Sequence, residues 1–229
     1  MRPETPRAAR LTLAPPQWPG HRPGQHLDVR LTAPDGYTAQ RSYSIASPPE
    51  RPDVELVVER LEDGEVSPYL TDVLRGGDLL ELRGPIGGYF VWPAEADGAV
   101  QLVAGGSGVV PFLAVLGHLR VTASPVPVRL LCSARTAEDI VGRAELEGPP
   151  PGVGVTVTLT RGAPPGWAGL EGRVDADVLA EHTLPAAGRP LVMVCGPTGF
   201  VEAVAGALVG LGHDPARIRT ERFGATGGQ

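Results

Sequence analysis

The hydrophobic pattern changes period partway along the chain, and that change limits the fold more than any other feature. Up to about residue 95, apolar residues come in short runs cut by proline and glycine. Arg10–Ala14, His26–Thr32, Arg41–Ile45, Val54–Arg60 and Leu79–Arg83 read as strands. Within them, His26-Leu27-Asp28-Val29-Arg30-Leu31 alternates polar and apolar, as a half-buried strand does. One helical stretch, Ser67–Leu74, interrupts the series, with Ser67 expected as N-cap and Pro68 in the first helical position. Such a run of short strands predicts a barrel or a sandwich. Further along, Val100–Ala104, Val128–Ser133, Val155–Thr160 and Leu191–Cys195 are continuous β-branched runs, the pattern of strands buried on both faces, and Ile218–Phe223 adds a fifth. Helical segments Val109–Arg120 and Phe200–Leu211 fall between them. Alternating β and α predicts a doubly wound parallel sheet. The expected division is therefore a β domain over 1–96 and an α/β domain over 97–229, with the boundary in Pro93–Gly98.

Composition removes several function classes. A net charge of −6 leaves no electrostatic footprint for nucleic acid. No apolar run approaches the ~18 residues of a membrane span, and Arg2, Arg7 and Arg10 are followed by no apolar stretch of the kind a signal peptide needs. Cys132 and Cys195 each end an apolar run, which suits buried thiols in a reducing compartment and predicts a cytoplasmic protein. All 20 basic residues are arginine. Lysine Schiff-base chemistry and a P-loop lysine are thereby excluded, and any anion site must be built from arginine and backbone. The five histidines are scattered, so no metal site is expected, and two cysteines are too few for an iron–sulfur cluster.

Ligands of an open parallel sheet bind outside the carboxyl ends of its strands. Those ends carry Gly105-Gly106-Ser107-Gly108, then Ser133-Ala134-Arg135, then Thr160-Arg161, then Cys195-Gly196-Pro197. The glycine turn opens a helix, which suits a pyrophosphate, and Pro111 fits the helix's first turn. Pro111 also stands where a G-x-G-x-x-G fingerprint has its third glycine, and for the turn alone a tight strand-to-helix connection is the plainer alternative. The second strand offers Ser133 and Arg135 in place of a ribose-binding carboxylate, with Arg161 on the next. Arginine there favours a 2′-phosphate, hence NADP(H) over NAD(H), against the alternative of solvated loop residues.

In the β half, Arg41-Ser42-Tyr43-Ser44 puts a cation, an aromatic face and hydroxyls close together, which suits a flavin. On a strand, Arg41 and Tyr43 share one face and Ser44 points the other way. Alone, this tetrapeptide is better read as a surface arginine and a packing tyrosine. Two further segments support a cofactor: Gly64-Glu65-Val66-Ser67 at a helix start, and Arg83-Gly84-Pro85-Ile86-Gly87-Gly88-Tyr89-Phe90, whose glycines let backbone run against a flat ring.

Arg41–Ser44, Gly84-Pro85-Ile86-Gly87, Gly105–Pro111, Cys195-Gly196-Pro197 and Glu221-Arg222-Phe223 occur in this order, and with them the chain resembles the ferredoxin–NADP⁺ reductase superfamily over nearly its whole length. It is most similar to compact bacterial flavin oxidoreductases that serve a separate partner. The resemblance implies a six-stranded antiparallel FAD barrel followed by a five-stranded NAD(P) domain. By it, Arg41 meets the FAD pyrophosphate, Tyr43 stacks on the flavin, Ser42 lies beside them and Ser44 hydrogen-bonds near N5. Val57, Val58 and Glu59 line the flavin or its ribityl chain, and Gly64, Val66 and Ser67 form the phosphate-holding segment. Gly106, Ser107 and Gly108 face the dinucleotide, while Ser133, Arg135, Arg161 and Arg173 lie near the adenosine phosphate. Cys195, with Gly196 and Pro197, sits beside the nicotinamide, and Glu221 and Phe223 lie near the flavin's other face. Ser44, Cys195 and Glu221 are the expected catalytic residues.

The function so implied is an FAD-dependent NAD(P)H oxidoreductase that hands electrons to a separate acceptor, protein or small molecule. Ferredoxin, an oxygenase, another metalloenzyme and a ferric chelate all stay open as acceptors. Two other readings stand beside it: a flavin reductase that releases reduced flavin, and a non-catalytic subunit that senses redox state through bound nucleotide.

Overall fold

A computed structural model describes residues 1–93 and 98–224. The expected boundary at 96/97 and residues 225–229 of the tail lie outside the described residues. The chain forms two compact units, Met1–Val91 with Val110–His118, and Trp92–Val109 with Leu119–Gln229.

The first unit holds six strands: β1 (Arg2–Thr5), β2 (Ala8–Leu13), β3 (His26–Thr32), β4 (Thr38–Ser44), β5 (Val54–Glu59) and β6 (Glu81–Ile86). They form two antiparallel three-stranded sheets, β1-β2-β5 and β4-β3-β6, joined by a bridge between Ile45 and Leu56. Inward residues of both sheets, among them Leu11, Leu27, Val29, Leu56 and Val58, make one apolar core. A charge cluster around the buried Arg10 joins β1, β2 and β5: Arg10 bonds Glu4 at 2.8 Å and Glu55 at 3.4 Å.

Three expectations need correction here. β1 was not legible, because Arg2-Pro3-Glu4-Thr5 has no apolar alternation. The last strand lies at Glu81–Ile86 and not Leu79–Arg83, since Leu79 is 97% exposed and gains nothing from pairing. The helical stretch runs over 67–73, close to the expected Ser67–Leu74, and its last five residues, Tyr69–Val73, form a π-helical turn with Pro68 at the cap position. Ser67 does not cap it: its buried hydroxyl accepts from the Leu61 N–H at 3.0 Å.

The second unit is built on a six-stranded, wholly parallel sheet in the order β10-β9-β8-β7-β11-β12. Its strands are β7 (Val100–Gly105), β8 (Val128–Ala134), β9 (Val153–Leu159), β10 (Leu170–Glu171), β11 (Leu191–Pro197) and β12 (Ile218–Phe223). The five expected strands are present; β10, two residues long, adds a sixth at the edge. After β7 comes a 3₁₀ turn, Gly106–Val109, and the chain then enters helix α1 (Val110–Thr122), with Pro111 in its first turn; the Val110–His118 part of this helix belongs to the first unit. Short α2 (Arg143–Glu147) follows β8. Helix α3 (Ala176–His182) is capped by Asp175, which accepts from the Val178 N–H at 2.9 Å. Helix α4 (Thr198–Gly210) packs Val201, Val204 and Leu208 against Val103, Val192 and Val194. Among the described residues, no helix is long and apolar enough to cross a membrane.

Candidate functional site

In the second unit, parallel register brings residues from distant parts of the chain to one edge. Gly105 lies opposite Ser133, Ala104 opposite Cys195, Cys195 opposite Glu221, and Pro197 opposite Phe223. Beyond the strand ends, the Arg161 N–H donates to the Arg135 carbonyl at 2.8 Å, so these two connections run side by side. Arg173 follows β10, where the Gly172 N–H donates to the Leu159 carbonyl at 2.8 Å. Arg135, Arg161 and Arg173 thus occupy three adjacent connections. All three are exposed, and none has a side-chain partner among the described residues. From β8 to β12 is three inter-strand steps, roughly 14 Å at the usual spacing. The three arginines and the Cys195–Glu221 pair are therefore set apart along one edge.

The glycines of the turn differ in what they do. A Cβ on Gly108 would come within 2.3 Å of the Cys195 carbonyl oxygen and 2.8 Å of Gly196 Cα, so this glycine lets the turn lie directly on β11. Added Cβ atoms on Gly105 and Gly196 would reach the Phe200 ring at 2.7 and 2.8 Å. Phe200, on α4, is a neighbour of the candidate site that the sequence reading did not single out; its place just after Cys195-Gly196-Pro197-Thr198-Gly199 was the available signal. Gly106 alone faces open space, with φ +56 and nothing within 4 Å of an added Cβ, which leaves its backbone free to meet a ligand. That opening, beside unpaired guanidinium groups along the edge, fits a phosphate-bearing dinucleotide.

Cys195 is buried, and burial together with the Glu221 carboxylate pushes its thiol well above the ordinary range. Cys195 is thus a neutral, polarisable group rather than a thiolate nucleophile. Cys132, also buried, is pushed up to about 12. Both cysteines are free.

In the first unit, β4 presents the expected tetrapeptide on two faces. Ser42 donates to Asp28 Oδ1 at 2.6 Å, and Gln40 donates to Asp28 Oδ2 at 2.9 Å. Ser44 lies opposite His26. On the other face, Tyr43 packs against the core, and burial, opposed by the Arg41 charge, pushes its phenol up to about 12. Arg41 is exposed: its Nη1 donates to the Gln40 carbonyl at 2.7 Å and its Nη2 to Glu65 Oε2 at 2.9 Å. Tyr37 donates to the second oxygen of Glu65. The fold therefore brings Arg41 to the segment Gly64–Ser67 through Glu65, a contact across 24 residues that no local pattern announces. A guanidinium beside the start of a helical turn, with an aromatic ring on its own strand, is a donor set that fits a phosphate-bearing flavin. Val57 and Val58 are buried, so what they offer a ligand is backbone, and Glu59 pairs with Arg7 at 3.4 Å. Val66 and Ser67 are buried too. Phe90 is buried against Phe112, ring centroids 5.9 Å apart, while Tyr89 is exposed.

The two units carry two recognised domains. Residues 6–91 match the oxidoreductase FAD-binding domain family, and residues 102–206 the oxidoreductase NAD-binding domain family. A glycine betaine monooxygenase reductase subunit from Chromohalobacter salexigens is 34% identical over 211 residues, covering 90% of this chain and 56% of that protein. An NADH-cytochrome b5 reductase 1 from Aspergillus terreus is 32% identical over 208 residues, covering 85% of this chain and 68% of that protein. The flavohem-like FAD/NAD binding domain of nitric oxide dioxygenase from Vibrio cholerae superposes with a TM-score of 0.84 at 26% identity, covering 98% of this chain and 95% of that one. The chain spans just over half the length of the betaine monooxygenase reductase subunits it matches. Fold and site together define a paired FAD- and NAD-binding oxidoreductase unit. The chain belongs to the ferredoxin–NADP⁺ reductase superfamily.

Proposed function

We propose that the protein is a flavoprotein reductase that takes a hydride from NAD(P)H onto bound FAD and passes electrons to a separate acceptor, an oxygenase component being the class its relatives favour. The observation that carries this reading is the alignment of Gly106–Gly108, Arg135, Arg161, Cys195 and Glu221 along one carboxyl edge, on a chain that also carries an FAD-binding domain. The functional division is 1–96 for FAD and 97–229 for the pyridine nucleotide. FAD, when bound, supplies hydride acceptance and release of electrons one at a time.

Arg41, with Gly64, Val66 and Ser67, holds the pyrophosphate; Tyr43 stacks against the ring system, flanked by Ser42, and the Val57–Glu59 backbone lines the ribityl chain. Ser44 offers a hydroxyl to the ring edge where negative charge develops. Gly106, Ser107 and Gly108 take the dinucleotide phosphates on backbone N–H groups. Cys195, Gly196 and Pro197 shape the nicotinamide pocket, and Glu221 and Phe223 orient the ring. Cys195 acts by packing, since its thiol is held neutral. Ser133, Arg135, Arg161 and Arg173 bind the adenosine end and favour NADPH; the three unpartnered guanidinium groups support this preference. Two free, buried thiols support a cytoplasmic setting.

The deciding experiment is a visible spectrum of pure protein supplied with excess FAD and FMN, then anaerobic titration with NADPH and with NADH. Oxidised-flavin absorption that NADPH bleaches at lower concentration than NADH is expected. Folded protein with no flavin absorption sinks the reading.

A further inference from the structure

Glu65 already places an anion on Arg41. It bonds Arg41 Nη2 at 2.9 Å, and Tyr37 donates to its other oxygen. The Arg41 charge is thereby neutralised from within the segment Gly64–Ser67 that the flavin reading assigns to phosphate. All three side chains are exposed, so nothing in the core locks them in place. Arg41 has five N–H donors in a planar fork, and two of them are already engaged, to Gln40 and Glu65. A pyrophosphate arriving at Arg41 must share the guanidinium with a carboxylate or displace it, and like charges at one cation repel. The Tyr37 hydroxyl and then the Arg41 charge hold Glu65 ionised, below the ordinary carboxylate range. Glu65 thus stays a competitor at working pH instead of being neutralised by protonation.

We propose that Glu65 is a built-in anion that occupies Arg41 when the flavin phosphates are absent and must be displaced for FAD to bind, so that it sets how tightly the protein holds its cofactor. This rests on the reading of Arg41 as a pyrophosphate ligand. An exposed pair is weak enough to be displaced by a ligand with several contacts, so Glu65 weakens FAD binding without abolishing it. Tyr37 keeps one Glu65 oxygen bonded when the other releases Arg41, which gives the displaced carboxylate a place to stay.

The test is FAD rebinding to the full chain stripped of flavin, followed by calorimetry or fluorescence quenching, for the native protein, Glu65→Gln, Arg41→Ala and the double variant. Glu65→Gln is expected to bind FAD about two- to fivefold more tightly at low salt, with the advantage shrinking toward 1 M salt, where the screening length is ~3 Å. Arg41→Ala is expected to weaken FAD, and in that background Glu65→Gln should lose most of its effect. Unchanged or weaker binding in Glu65→Gln, with Arg41→Ala still damaging, overturns the competitor role and makes Glu65 a strut for Arg41. No effect of Arg41→Ala overturns both this inference and the phosphate reading beneath it. Thermal midpoints of all four proteins separate loss of binding from loss of fold.

Discussion

Gly108→Ala probes the nucleotide edge most sharply, because the glycine's neighbours are backbone rather than side chain. The new Cβ would meet the Cys195 carbonyl oxygen at 2.3 Å, its carbonyl carbon at 2.6 Å and Gly196 Cα at 2.8 Å. An ordinary carbon–oxygen contact is about 3.3 Å or more, so roughly 1 Å of separation has to be found. Strand β11 cannot easily supply it, since Cys195 is held between Ala104 and Glu221 in the sheet. Overpacking of this kind costs about 1–3 kcal/mol, and an unyielding backbone on one side puts this case at the upper end. The turn then shifts away from β11 by a distance for which a rate loss of about 100-fold is reasonable. Gly106→Ala is the matched control: it faces open space, and its cost is the left-handed backbone alone, about 1 kcal/mol. Thermal melts and NADPH titrations of both variants, with FAD content read from the visible spectrum, make the comparison. Gly108→Ala should lose stability and nucleotide binding together while keeping FAD. Gly106→Ala should stay nearly as stable and lose binding only. A Gly108→Ala protein that melts and binds like the native one refutes the argument that close approach to β11 is what this glycine provides.

Other consequences follow from the same geometry. Removing Arg135 and Arg161 should cut the preference for NADPH over NADH by about tenfold or more, as expected for lost charged hydrogen bonds, with kcat/KM for NADH little changed; a parallel fall for both coenzymes would show that they do not read the 2′-phosphate. Ser44→Ala should slow flavin reduction in stopped flow by roughly tenfold or more with FAD still bound, and an unchanged rate removes Ser44 from the mechanism. Arg10→Met leaves Glu4 and Glu55 nearly buried without their shared cation, at a cost of about 3–5 kcal/mol. Arg51, 3.4 Å from Glu55, should hold the loss toward the lower figure, read from urea midpoints, and a loss under about 1 kcal/mol would refute the cluster's role. Burial, against a bond to the Ser47 carbonyl, holds the His21 pKa below its ordinary 6.5. The neutral ring is therefore favoured in the fold, so stability is complete above 6.5 and declines as pH falls from there toward the lower folded value. His213 acts in the same direction. His21→Gln should make that acid-side decline in thermal midpoint shallower; an equally steep decline assigns it elsewhere.

Much of the architecture was readable from pattern alone, and the reason is burial. Val100–Ala104, Val128–Ser133 and Leu191–Cys195 are covered on both faces, so nearly every residue must be apolar and the runs declare themselves as parallel strands. Edge elements escaped for the opposite reason: β1 and β10 are short and partly exposed, and their residues answer to no apolar period. The glycines at 105, 106 and 108 could be seen as a turn, but their separate tasks could not. Whether a missing Cβ makes room for Phe200, for β11 or for a ligand depends on what stands opposite, and register across the sheet decides that. The same holds for charge. Arg41, Arg135 and Arg161 were visible as candidate anion ligands because guanidinium chemistry is local to each residue. That Arg41 is already paired with Glu65 while Arg135 and Arg161 stand unpartnered is set by which segments the fold brings together. Residue type and period, being properties of neighbours in the chain, wrote the fold class and the chemistry on offer. Availability of each group is a property of neighbours in space, and folding alone assigned it.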